Sequence, residues 1–154
     1  MSDISSFPTI HDVLVAGDNI QTFTAGAAIT AGQVVAFHGT GVSKTVHPAV
    51  KGTTVVPVGV ALYDASSGDK VAVACRGCHV KVANYDDTTA IDAGDPLEDN
   101  DNAVGGTVGA LPISASGATA TLHYRAGWAL EDIAGGGTGI MEVDPGITIQ
   151  PNAS

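Results

Sequence analysis

This chain has little aromatic and little basic side-chain chemistry. Phe, Tyr and Trp together make up 5% of its 154 residues, so small aliphatic side chains (Val, Ala, Ile) must fill the core, and stacking platforms for a carbohydrate are scarce. Six Lys and Arg stand against 16 Asp and Glu, a formal charge of −10. A surface of that sign lacks the cations that displace counterions from a phosphate backbone, and anionic bilayers repel it. Neither nucleic acid nor membrane is therefore an expected partner. Self-repulsion that keeps the protein soluble is the simplest use of the charge. The balance of many Asp and few Lys is also compatible with a halophilic source or with work among many copies. The chain has no apolar run of about 18 residues to cross a bilayer. Its opening, MSDISSFPTIHDV, has no basic stretch followed by an apolar one, so no Sec export is expected.

Catalytic signatures are missing too. There is no G-x-S-x-G and no H-E-x-x-H, and the five His are scattered. Gly135-Gly136-Gly137 lacks the Lys-Ser/Thr of a phosphate loop. Asp99-Asn100-Asp101-Asn102 opens like a calcium loop but continues with Ala103 and Val104, which offer no side-chain oxygen. Asp86-Asp87 sits beside a turn and reads as surface. The expectation is a non-enzymatic protein without a cofactor.

What the chain does have is repetition. Ile20 to Ala36 (IQTFTAGAAITAGQVVA) returns as Val82 to Glu98 (VANYDDTTAIDAGDPLE), at an offset of 91 − 29 = 62. Val58 to Ala65 (VGVALYDA) returns as Ala126 to Ile133 (AGWALEDI), at 127 − 59 = 68. GDKVAV near Val71 is echoed by GIMEV near Met141. Three echoes in one order imply two copies of a β-rich unit, residues 20–75 and 82–143, within one domain of residues 18–154. Period-two patterning supports strands: Val58, Val60 and Leu62 against Gly59, Ala61 and Tyr63; Val80 and Val82 against His79 and Lys81; Ala126, Trp128 and Leu130 against Gly127, Ala129 and Glu131. The Ala-Gly pairs before Gln33 and Asp95 predict turns. Twenty Gly and seven Pro fit many short strands, and no segment reads as a long helix. The fold class expected is all-β and barrel-like.

Two segments raise functional questions. Residues 1–17 read as an extended arm with spaced apolar residues, among them Ile4, Phe7 and Ile10, either a solvated terminus or a segment that orders on a partner. Strand addition with apolar side chains filling pockets is the mode such an arm would use. The string Cys75-Arg76-Gly77-Cys78-His79 matches C-x-x-C-H, the haem-attachment pattern. It falls within a Val-rich strand pattern rather than at a helix start, and aromatics are too few for a haem pocket. A zinc site would use Cys75, Cys78 and His79 with a fourth ligand from His11, His38, His47 or His123, but no second C-x-x-C exists. Two small, buried or half-buried thiols remain the simpler reading.

At the repeated units, VPVGVALYDASSGDKVAVACRGCHVKV and the I-x-A-G-x-P-L element at Ile91 to Leu97 resemble the head decoration (cement) proteins of tailed viruses. The resemblance spans Asp18 to Gly146; the C-R-G-C-H string and the loop from Asn100 to Gly117 depart from it. It implies a β-tulip type of barrel, often trimeric, that docks on the outside of an expanded icosahedral shell near local threefold axes. It further implies that the protein clamps major capsid protein subunits against internal DNA pressure, is made in the host cytoplasm, and resides on the virion, with the arm (Ile4, Phe7, Ile10) as capsid contact. The alternatives are another virion part (tail tube, turret or fibre base), or a metal-binding protein centred on Cys75, Cys78 and His79.

Overall fold

The computed structural model describes residues 13–37, 44–49, 56–84, 88–99, 108–110 and 121–150. Their elements are strands: β1 (Leu14–Ala16), β2 (Ile20–Ala25), β3 (Val34–Phe37), β4 (Thr45–Pro48), β5 (Pro57–Ala61), β6 (Lys70–Ala74), β7 (His79–Ala83), β8 (Pro96–Asp99), β9 (Val108–Ala110), β10 (Thr121–Ala129) and β11 (Thr138–Gln150). Five of them close a barrel in the order β2-β4-β3-β5-β6, and six form a sheet in the order β1-β7-β11-β10-β8-β9. The all-β, barrel-containing class expected from the sequence is the class observed.

The two sheets are one design in two states. Substituting β7 for β2, β8 for β3, β9 for β4, β10 for β5 and β11 for β6 turns the barrel order into the order of the second sheet. The difference is one missing seam. β2 and β4 pair in parallel, Thr24 with Thr45 and Ala25 with Val46, whereas β1 takes the edge of β7 where β9 would lie. The first unit is closed and the second is open.

The core explains why. Val35, Val46, Ala61, Val71 and Val73 point into the barrel with Phe23 and Ile29. Their neighbours Val34, Ala36, Val60, Leu62 and Ala74 point outward, and they share a second cluster with Val80, Val82, Ile91, Leu97, Ile133, Met141 and Val143 of the open sheet. The outer face of the barrel is thus the filling of the open unit. Strands buried on both faces read as continuous apolar runs, such as Val34-Val35-Ala36.

Shared turn chemistry accompanies the shared order. Ile29 and Ala65 exchange two backbone hydrogen bonds, and so do Ile91 and Ile133. The Asp64 carboxylate accepts the Ala31 N–H at 2.9 Å, and Asp132 accepts that of Ala93 at 2.9 Å. Gln33 accepts the N–H of Thr30 and Asp95 that of Asp92, so each turn is tied by its own side chain. Gly32 and Gly94 follow at φ +87° and +92°, the left-handed corner that the Ala-Gly pairs supply.

The strand patterning departs from simple alternation at one point in each unit. Val35 pairs with Gly59 and Ala36 with Pro57, which leaves Val58 as a bulge residue; it packs toward the barrel interior rather than with Val60. The equivalent position is Ala126 (58 + 68 = 126), skipped between Arg125 and Gly127, and it turns into the core with Ala129 instead of lying beside Trp128. The second unit also carries extra chain. Ile20 pairs with Ala74 and His79 with Glu142, so the first strands correspond at 79 − 20 = 59, three short of the 62 that holds at the turns. The extra residues lie between β7 and Ile91. The arm read over residues 1–17 ends inside the sheet: Leu14–Ala16 is the edge strand β1, and Val13 is buried. Ile4, Phe7 and Ile10 lie outside the described residues.

Gly59 and Gly127 immediately follow the bulges. A Cβ on either would overlap a backbone carbonyl oxygen, that of Ala74 or of Glu142. Gly59→Ala and Gly127→Ala should each lose about 1–3 kcal/mol, because the obstacle is backbone and cannot rotate away. Gly68 has open space but φ +92°, so Gly68→Ala should cost about 1 kcal/mol from strain alone. Thermal unfolding of the three variants checks this ranking; unchanged midpoints for Gly59→Ala and Gly127→Ala would refute the close approach.

Candidate functional site

Cys75 to Cys78 of the C-R-G-C-H string form a turn between strands, and only His79 lies in one. Cys75 ends the first unit and Cys78 opens the second, and the Cys78 N–H donates to the Cys75 carbonyl at 3.1 Å with Gly77 at φ +92°, a tight turn with glycine at its third position. The turn sends the two side chains into different places. Cys75 belongs to the barrel cluster and Cys78 to the cluster between barrel and sheet. His79 begins β7 on the side opposite Val80, half-buried. The three therefore do not converge, and among the described residues no three His, Cys, Asp or Glu side chains group as a metal site. Of the two described His weighed as fourth ligand, His47 is on β4, and His123 on β10 contacts Glu98 at 2.8 Å with both side chains buried. His11 and His38 lie outside the described residues.

Both thiols are free. Cys78 Sγ donates to the Asn19 carbonyl and Cys75 Sγ to that of Val73, each at 3.5 Å. Burial pushes the Cys75 thiol above its ordinary value, the neighbouring Cys78 adds to the rise, and a backbone hydrogen bond with Gln21 opposes it. Cys75 is therefore a poor nucleophile, since the thiolate is the reactive form.

The residues that do converge were not singled out in the sequence. On the outer face of β10 and β11, Asp144 gathers three donors. Arg76 from the Cys turn pairs with Oδ1, Trp128 Nε1 donates to Oδ2 at 2.9 Å, and Arg125 reaches Oδ2 at 3.4 Å. Arg125 also donates through Nε to the Asp144 carbonyl at 3.0 Å and through Nη1 to Thr148 Oγ1 at 2.7 Å, and its guanidinium lies 4.7 Å from the centre of the Trp128 ring. Arg76 donates to the Pro145 carbonyl at 2.6 Å. The bulge at Ala126 and the matching break at Asp144-Pro145 aim these side chains at one another. Two of the six basic residues and the single Trp meet there, and that composition was the available signal.

The acidic residues of the turns have a different employment. Asp64, Asp69, Asp92's partner Asp95, and Asp132 each accept a backbone N–H within the turns. Four of the 16 acids are thus structural carboxylates that hold turns. Asp99, the first residue of the apparent calcium loop, is the last residue of β8.

Three outcomes follow. Asp144→Asn should cost about 1–2 kcal/mol, because it strips the counter-charge from a largely buried Arg125. Arg76→Ala should cost under about 1 kcal/mol, since Arg76 is 64% exposed and its pair is solvated; urea unfolding of both variants measures the order. The fold holds the Cys75 proton more tightly than the unfolded chain does. The associated stability is therefore complete below the ordinary thiol value of 9.0 and is lost as pH rises past it. Cys75→Ser should flatten the fall in stability above that pH, and a profile identical to the parent's would discount the burial of this thiol.

Residues 15–145 match the family described as phage cement protein. Among solved structures, the head fiber gp8.5 N base of bacteriophage phi29 superposes with a TM-score of 0.53 at 18% identity, over 88% of this chain and 97% of that one, a likeness of fold. No curated protein matches in sequence. With the family match running from β1 to the Asp144–Pro145 break in β11, the chain belongs to the phage cement proteins, structural components carried on the capsid of the virion.

Proposed function

We propose that this cement protein binds the outer surface of the expanded icosahedral shell near local threefold axes. In this reading it docks as a homotrimer, contacts the major capsid protein, and stabilises the head without catalysing a reaction or recruiting nucleic acid. The observation that carries the reading is the family match over residues 15–145. Ligation that occurs only on the assembled shell lowers the free energy of that state by mass action. Several weak contacts made together by a symmetric oligomer multiply its residence time. A domain whose acidic turns are already engaged in their own backbone suits this mechanical role.

The arm is the proposed capsid contact, with Ile4, Phe7 and Ile10 as its apolar anchors. β1 supports the placement, since a chain already running as an edge strand emerges at residue 13 from the sheet side of the molecule. A second reading, the base on which a fibre stands, is favoured by the likeness in fold to the phi29 head fiber base.

Binding to purified expanded shells, unexpanded shells and free capsid subunits is the test, by co-sedimentation and electron microscopy. The expected result is saturable binding to expanded shells alone, with a higher temperature of shell disruption. Absence of binding, or equal binding to free subunits, would sink the cement mechanism. Removing residues 1–12, and sparing β1, should weaken shell binding at least about tenfold while the unfolding midpoint of the free protein stays put. Unchanged affinity would take the arm out of the mechanism.

A further inference from the structure

β10 and β11 outrun the sheet they belong to. Their pairing continues from Arg125↔Gly146 through Tyr124↔Ile147, His123↔Thr148 and Leu122↔Ile149 to Thr121↔Gln150. Pairing of β7 with β11 stops at Glu142, with further backbone bonds only to Val143, and pairing of β8 with β10 stops at Arg125. Among the described residues the last four rungs therefore form a two-stranded ribbon with a strand partner on neither edge. An isolated ribbon of that kind is marginal in water and presents a template for further pairing. Its face is apolar at Ile147, which at 52% is the most exposed large hydrophobic side chain among the described residues, and the half-buried Tyr124 lies opposite it.

Charge selects the occupant. The chain is acidic at −10, yet residues 102–130 contain no Asp or Glu, and residues 145–154 contain no charged residue at all. Both strands of the ribbon come from these two tracts, and the nearest carboxylate on β11, Asp144, is already paired with Arg76 and Arg125. Two copies approaching through any acidic turn would meet like charge within a Debye length of about 8–10 Å. Through the ribbon they meet two strand segments without a carboxylate of their own, on which His123 is buried against Glu98 and Ile147 is exposed, and among the described residues no further strand pairs with either edge. We infer that the β10–β11 ribbon is the self-association surface, where ribbons of neighbouring copies of this chain pack against one another around a common axis. This inference rests on the reading of a self-associating cement protein and names the surface that the association uses.

The experiment is sedimentation velocity and light scattering on the full chain across a concentration series, with Ile147→Asp, the milder Ile147→Ser, and Val15→Asp as a control on the exposed edge of β1. Far-UV circular dichroism and the unfolding midpoint verify folding of each. The parent protein should be oligomeric. Ile147→Asp should raise the concentration needed for assembly by about tenfold or more, and Ile147→Ser by less, while Val15→Asp leaves it unchanged. A monomeric parent, or an Ile147→Asp protein that assembles like the parent, would overturn the inference. Shell binding, measured on the same samples, separates this from the cement reading. A monomeric parent that decorates shells keeps that reading and removes the ribbon contact. Assembly through Ile147 without shell binding does the reverse.

Discussion

The structure depends on one shared interface, the apolar outer face of the barrel pressed into the open concavity of the second unit. Val34, Val60 and Leu62 are fully or almost fully buried although they point away from the barrel interior. A small-residue chain with 5% aromatics cannot fill two separate closed barrels with large side chains. It instead uses each central strand twice, once on each face, so that the same backbone contributes to two cores. Opening the second barrel is the geometric consequence. β9 cannot reach β7, and the vacated edge is capped by β1.

The turns and the ribbon differ in character. The turns of both units carry acids that hold backbone N–H groups, which leaves a negative, rigid periphery. Opposite in character is the ribbon of β10 and β11, free of acids and extended beyond its neighbours. Between them the Asp144 cluster ties the unit-joining Cys turn to both strands through Arg76 and Arg125. Paired charges at this half-buried site are worth more for orientation than for stability, because desolvation offsets much of the attraction. The cluster fixes the direction in which the ribbon leaves the sheet. A structural component of the capsid needs such stiffness more than it needs a pocket.

Family membership and geometry meet at the level of the surface. Cement proteins are structural parts of the phage capsid, and nothing in the described core is organised around a reacting group: the thiols diverge, and His123 is engaged with Glu98. The C-x-x-C segment forms a tight turn with Gly at its third position and small buried side chains at its ends.

Much of the fold was legible in the residues themselves. Period-two patterning announced strands, Ala-Gly pairs announced the turns at Gly32 and Gly94, and the echoes of TAG, ALYD and KVAV announced two units, since each records a local backbone requirement that side chains must satisfy wherever the unit lies. The bulges at Val58 and Ala126 were not legible, because a bulge depends on what the partner strand can accommodate, and those partners are distant in sequence. Nor was the Asp144 site, whose members come from positions 76, 125, 128 and 144 and are assembled only by strand order. By itself the sequence determined most of the strands, the Ala-Gly turns and the sign of the charge; β1 within the expected arm, β9 within the expected loop and the turn at Cys75–Cys78 were not read from it. Only tertiary structure decided which barrel closes, which way Cys75 and Cys78 face, and where β10 and β11 run on beyond their neighbours. These are outcomes of packing one copy of a unit against another, and the local pattern that the two copies share does not encode which of them will be the filling and which the shell.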